Sequence, residues 1–268
     1  MTNLQDLRIV MRGAGDLATG VALRLHRSGF RNLLLLETAH PLAVRRLVSF
    51  SEAVSSGEMR VEGICARRIE EHNAAPGCMA AGDIPVLVDP EGKSITEHRP
   101  DVLIDAIIAK RNTGTRITDA ELVIGLGPGF TAGNDVHCVI ETMRGHGLGR
   151  VIRDAAALPD TGIPGNVGGF THERLLRAPQ TGLFETGCEI GDRVSAGDSV
   201  ATVDGVPVIA NISGVLRGLL RSGTPVAERT KLGDIDPRGK VAFCSSSSDK
   251  AIAVGGAVLE AILWHYNC

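Results

Sequence analysis

Four residues near the start of the chain have the types and spacing to hold a phosphate. In RGAGDLATG (12–20), Gly13, Gly15 and Ala18 fit G-x-G-x-x-[G/A], and Glu37 follows at the end of the next apolar run. In such a turn the first glycine permits the tight bend and the second lets backbone approach a phosphate. The small third residue lets helix and strand pack closely. The N–H groups that open the helix then face an anion, and the later acid bonds a ribose hydroxyl. Asp16 works against this. Its carboxylate, in the first helical turn, can cap those N–H groups and repel a phosphate. The turn reads either as a nucleotide- or pterin-phosphate loop or as a purely structural one.

Further along, Lys110 and Arg111 of KRNTGT (110–115) follow a strand-like run. Cations past a strand end sit where open α/β sheets bind ligands; the alternative is a solvated loop. A second glycine-rich loop, GPGFTAG (127–133), offers Gly127, Gly129, Thr131 and Gly133, and consecutive backbone N–H groups in such a loop can face an anion. His137 and Cys138 come next. If DVHCVIETMRGH (135–146) is helical, Cys138 lies near a helix N-terminus, where a thiol pKa falls and the sulfur becomes a nucleophile. The plainer alternative is a packed core cysteine.

These residues need elements to position them. LRIVMRG (7–13) reads as a buried strand, DLATGVALRLHRSGF (16–30) as a helix stopped by Gly29, and NLLLLET (32–38) as a parallel strand. IPVLVD (84–89), DVLIDAIIA (101–109), LVIGLG (122–127) and GRVIRD (149–154) are further strands. The expected fold is α/β, a Rossmann-like parallel sheet over 1–155. Beyond it lies a β domain over 156–240 and a C-terminal helix over 241–268 that packs back.

Composition narrows the classes. The 268 residues carry a formal net charge of -3, with 43% hydrophobic and 3% aromatic residues. No basic surface argues for nucleic acid, and no apolar run reaches the length of a membrane span. The six cysteines, Cys65, Cys78, Cys138, Cys188, Cys244 and Cys268, have no CxxC spacing, which argues against a zinc site or a disulfide framework. No metal is expected, and a cytoplasmic setting is.

The second half holds an internal repeat. APQTGLFETGCEIGDRVSAGD (178–198) aligns with ANISGVLRGLLRSGTPVAERT (210–230) at a spacing of 32, matching Gly182 with Gly214, Gly191 with Gly223 and Val194 with Val226. The pattern implies two interlocked hairpin layers related by a pseudo-twofold. IGDRVSAGDSVATVDG and ISGVLRGLL resemble the biotinyl/lipoyl hammerhead, or barrel-sandwich hybrid. A carrier of that kind needs a lysine on the hairpin between its halves, and TVDGVPVI (202–209) has none. The repeat is therefore expected to serve a partner, a ligand or homo-oligomer contacts.

Taken together, RGAGDLATGVALRLHRSGF, PLAVRR and VSFSEAV (41–54), GLGPGFTAGNDVHCVIETMRGHGLGRVI and GDIDPRG (233–239) resemble the YqeB family of selenium-dependent molybdenum hydroxylase system proteins, related in role to xanthine dehydrogenase accessory factors. The resemblance implies a maturation factor that binds the molybdopterin cofactor at the glycine turns, with Ser49, Ser51 and Glu52 adding polar contacts. It implies the apo-molybdenum hydroxylase as partner and Cys138 as the thiolate that handles a sulfur or selenium ligand. Two other readings stay open. One is an NAD(P)-dependent oxidoreductase using NAD or NADP at the same turn, with His137 as proton donor. The other is a non-catalytic partner-binding protein.

Overall fold

The computed structural model describes residues 3–267, so Cys268 lies outside the described residues. The chain separates into two compact units. One takes the segment ending at Pro41, Ser49–Thr161 and the segment starting at Ser247; the other takes Leu42–Val48 and Gly162–Ser246.

The first unit is built on nine strands: β1 (Ile9–Arg12), β2 (Leu33–Glu37), β3 (Glu58–Val61), β4 (Ile64–Ile69), β5 (Ile84–Val88), β6 (Val102–Asp105), β7 (Leu122–Leu126), β8 (Cys138–Ile140) and β9 (Val151–Ile152). Their order in the sheet is β3-β4-β5-β2-β1-β6-β7-β8-β9. Ile9–Met11, Leu33–Leu36, Val102–Ile104 and Leu122–Ile124 are buried without alternation, the pattern of strands covered on both faces.

The expected Rossmann-like parallel sheet is overturned. The sheet is mixed: β3 runs antiparallel to β4 and β9 antiparallel to β8. Among its parallel crossovers, β1 to β2 is made by a long helix, α1 (Asp16–Arg27). The crossovers from β6 to β7 and from β7 to β8 run through turns and a single 3-10 turn. The sequence explains this, because 106–121 and 127–137 are rich in Gly, Thr, Asn and Asp and lack helical apolar spacing. The remaining helices of the unit are α2 (Ala53–Ser56), α3 (Ala75–Ala80), α4 (Lys93–His98) and α5 (Asp249–Asn267). No helix of the described residues is long and apolar enough to cross a membrane.

Helix α5 lies directly on α1. A Cβ on Gly20 would stand 2.6 Å from the Ala251 carbonyl, and one on Gly255 would stand 2.6 Å from the Gly20 carbonyl and 2.8 Å from Arg24. Residue numbers rise together along both helices, so they run in the same sense and begin side by side.

The second unit holds β10 (Leu175–Arg177), β11 (Gly182–Glu185), β12 (Arg193–Val194), β13 (Ser199–Val203), β14 (Val206–Ile209), β15 (Gly214–Leu219), β16 (Thr224–Val226) and β17 (Lys231–Asp236). They form two four-stranded antiparallel sheets, β10-β17-β15-β12 and β14-β13-β11-β16. The two repeats exchange strands: Val194 of the first faces Gly214 of the second, and Val226 of the second faces Gly182 of the first. The expected biotinyl/lipoyl-like hammerhead is nevertheless overturned, since the unit is two open four-stranded sheets assembled from more than the repeat. β10 and β17 come from outside 178–230. The segment 42–48 joins as well, through Leu219 N–H donating to Val44 O and Arg46 Nε donating to Leu219 O. Phe184, Leu216, Leu219, Leu232 and Ile235 fill the core.

Candidate functional site

The turn after β1 is held by backbone chemistry. Gly13 has φ +101°, and a Cβ there would lie 2.9 Å from the Ala106 carbonyl oxygen, so the close approach of β1 and β6 requires glycine. Gly13 N–H donates to Leu36 O at 2.7 Å. Glu37 accepts Ala14 N–H at 2.9 Å on one carboxylate oxygen and Thr38 N–H at 2.8 Å on the other. The acid expected to meet a ribose instead ties the end of β2 to the turn.

Gly15 behaves differently from Gly13. Its φ is -69°, and nothing lies within 4 Å of the place a Cβ would take. It is the N-cap of α1 and supplies no side-chain cap. A side chain at this N-cap would therefore meet no neighbour, and the helix end beside it carries partial positive charge. Asp16 and the fully buried Ala18 follow in its first turn. Ser51 N–H donates to Ala14 O, which places VSFSEAV against the turn, and the buried Ser51 hydroxyl has no hydrogen-bond partner among the described residues.

β1 pairs with β2 on one side and β6 on the other, so the turn stands where the strand order reverses, the usual ligand crevice of parallel sheets. The loop after β6 is tightly held. Buried Asp105 accepts Thr115 Oγ1–H at 2.6 Å and pairs with Arg12 at 3.4 Å. Ile108 (φ +59°) and Lys110 (φ +62°) are left-handed, a strained state for a β-branched residue and one that concentrates at functional loops. Lys110 pairs with Asp160 at 2.7 Å. A Cβ on Gly129 would stand 2.6 Å from Arg111 Cα, and one on Gly127 would meet Thr142 Oγ1 at 2.6 Å. Lys110, Arg111, Gly127 and Gly129 thus belong to abutting loops at one sheet edge.

The same edge holds residues that sequence reasoning missed. Glu141, just past β8, is buried, and its carboxylate accepts Met143 and Leu158 N–H groups at 2.7 and 2.8 Å. Arg144 makes two bonds to Asp249, at 2.6 and 2.9 Å. Beside Asp249, in the first turn of α5, is Lys250. Burial lowers its pKa from the ordinary 10.5; the Arg144 charge lowers it further, Asp16 and Glu141 raise it, and Lys110 lowers it. A helix N-terminus also disfavours a cation. Its signal in the sequence was slight: a lone lysine after an aspartate, in a chain with five lysines.

The remaining candidates fall elsewhere. Asp135 accepts Thr131 N–H at 2.9 Å, and Gly133 N–H donates to Val136 O; the 131–135 turn satisfies itself, and no anion nest forms. The expected helix over 135–146 is absent. Val136, Cys138, Val139 and Ile140 are all buried, and the last three form β8. Glycines 145, 147 and 149 leave too short a run for a helix. Cys138 is 4% exposed, and burial pushes its thiol up to about 11, opposite to the lowered value expected. It pairs with Ile124, in register with Ile104 and Met11. Three strand spacings separate it from β1, about 14 Å. His137 accepts Val123 N–H on Nδ1 at 2.9 Å, at the opening edge of β7, away from the glycine turn.

No family model matches the chain. It is 48% identical over 255 residues to the uncharacterized protein YqeB of Escherichia coli K12, covering 95% of this chain and 47% of that one. The chain spans about half the length of that curated relative. Among solved structures it is similar to an aspartoacylase family protein of Mesorhizobium loti, at 12% identity with TM-score 0.27, covering 86% of this chain and 85% of that one. It is also similar to the ectoine utilization protein EutE (DoeB) of Ruegeria pomeroyi, at 14% identity with TM-score 0.24, covering 80% of this chain and 61% of that one. The fold corrections above rest on the strand order itself. The sequence match supports the YqeB label that the motifs suggested: the chain is a relative of YqeB along nearly all of its own length.

Proposed function

We propose that the chain binds a phosphate-bearing small ligand where α1 and α5 begin, and that it serves as an accessory factor in maturing a selenium-dependent molybdenum hydroxylase. The observation that carries the binding reading is the clear space at Gly15, the N-cap of α1 without a side-chain cap, one residue before Asp16, whose charge reaches Lys250. Two helices starting side by side bring two positive dipole ends together, which an anion relieves. The molybdopterin cofactor ends in a phosphate, which fits this corner. The first backbone N–H groups of α1 and Lys250 would hold it; Arg144 and Lys110 are already paired with Asp249 and Asp160. The maturation role, with an apo-molybdenum hydroxylase as partner, draws on the motif resemblance. The buried, raised thiol of Cys138 gives no support to a thiolate role there.

The NAD(P) reading uses the same turn, but Glu37 already accepts two backbone N–H groups. Thermal unfolding in the presence of molybdopterin cofactor, its dinucleotide form, NAD and NADP separates the readings. A ligand at about 100 times its Kd adds about 2.7 kcal/mol to the folded state. The expected result is a rise in Tm with the pterin forms that Gly15→Val abolishes. A rise with NAD or NADP alone would replace the maturation reading by the oxidoreductase one. No rise with any ligand would refute binding at this corner.

A further inference from the structure

Two histidines far apart in sequence bond each other. His72 opens the 3-10 turn His72–Ala74 that leads into α3, and His98 closes α4. His72 Nε2 stands 2.8 Å from His98 Nδ1, with the rings edge to face at 5.1 Å between centroids. Pro76, Met79 and Ala80 of α3 and His98 of α4 line one cleft of about 560 Å³, whose charged lining is Asp6, Arg8 and Arg31. Glu97 Oε2 lies 3.9 Å from His72 Nδ1, and Arg8 Nη1 donates to the His98 carbonyl at 3.4 Å. The charges of Arg8 and Asp101 also reach the His98 ring. His98 Nε2 is buried with no hydrogen-bond partner among the described residues.

We propose that the His72–His98 pair is an acid-opened clasp, which holds the His72–Ala74 turn to the end of α4 and releases it, widening the cleft, when both rings are charged. The proton count gives the reason. Two neutral imidazoles carry two N–H groups on four nitrogens, so one ring donates to the other. One added proton still leaves an acceptor between them. A second fills every nitrogen, so the bond has no acceptor and two like charges face each other. The buried Nε2 adds to this, since a charged N–H there finds no acceptor until the ring turns toward water. Burial first, then the His72 and Arg8 charges, hold the His98 pKa down at about 4, against the pull of Asp101. The clasp is therefore closed at neutral pH and opens as pH falls toward that value.

Cys78 reports the opening. It lies in α3, buried in one apolar cluster with Ile69 and Leu87, and Ile95 of α4 packs against that cluster. Burial pushes its thiol up to about 11, and that of Cys138 in β8 to the same value. The ratio of their labelling rates therefore cancels the pH dependence of the thiolate. The test is labelling of the intact chain with dithiodipyridine, which reacts in acid, with the modified peptides mapped by mass spectrometry. The ratio of Cys78 to Cys138 is expected to rise several-fold from neutral pH toward the His98 value and to return on neutralisation. His98→Gln and His72→Gln leave only one ring to charge and should each hold the ratio flat. A ratio that does not change with pH overturns the proposal, as does the same rise in both variants. Equal acceleration of both thiols overturns it too, because the chain then opens as a whole. Imidazole nitrogen NMR shifts read the pair directly: the rings should titrate in two linked steps, and a His72 titration untouched by His98→Gln overturns the clasp.

Discussion

Gly13 and Gly15 stand two residues apart and meet opposite demands. Gly13 combines a positive φ with a backbone contact at 2.9 Å, whereas Gly15 has an ordinary φ and empty space around it. Gly13→Val should therefore cost at least about 2 kcal/mol, from backbone strain plus the clash. Gly15→Val should cost no more than about 1 kcal/mol, the loss of a favourable N-cap residue, because nothing there resists a side chain. Urea midpoints for the two variants check the difference. If both destabilise equally, the open approach to α1 is wrong, and with it the use of Gly15→Val as a probe of ligand binding. The motif showed three special positions; which of them the fold requires to be glycine depends on neighbours 93 residues away, at Ala106.

Helices α1 and α5 approach closely because Gly20 and Gly255 lack side chains. Gly255→Leu would drive a branched side chain into the Gly20 carbonyl and Arg24, and such overpacking costs about 1–3 kcal/mol. Urea midpoints check this, and a variant of full stability would show that the two helices can part here without cost. The paired glycines of AVGGAV were visible as a sign of close packing. Their partner, Gly20, sits inside a stretch whose other glycines already had a role in the turn.

At the scale of the whole molecule, acid should destabilise the protein in two stages. Burial first, then His72 and Arg8, lower the His98 pKa from 6.5 to about 4, against the pull of Asp101. Burial acts likewise on His26 and His137. A histidine with a depressed folded value binds its proton more readily when unfolded. Its contribution is full above the unfolded value of 6.5 and is lost as pH falls toward the folded one. The carboxylates Glu62, Asp89, Asp101 and Asp236 are also lowered, despite burial, by backbone and arginine or serine hydrogen bonds. Their contribution is present above the ordinary carboxylate range and is lost below it. Urea midpoints should fall between pH 6.5 and 4 and again below 4. His98→Gln should flatten the first fall and leave the second. An unchanged first fall would remove His98 as its cause.

The sequence by itself determined most strands of the first unit, the turn at Gly13, helix α1, the C-terminal helix and the 32-residue repeat, because each follows from local spacing of apolar residues and glycines. The resemblance that its motifs suggested was to YqeB, and the match to that protein supports the label. Tertiary structure decided what spacing cannot encode. Parallel and antiparallel pairing depend on crossovers, so the mixed sheet and the two open antiparallel sheets were hidden. DVHCVIETMRGH has enough apolar residues for either a helix or a strand, and burial beside β7 settled it as β8. Glu37 became a tie for the turn, and Cys138 a packed thiol about 14 Å from β1. Lys250, from the far end of the chain, came within reach of the Asp16 charge only because α5 lies along α1. The sheet brings chain ends together at a distance in sequence that no local pattern can express.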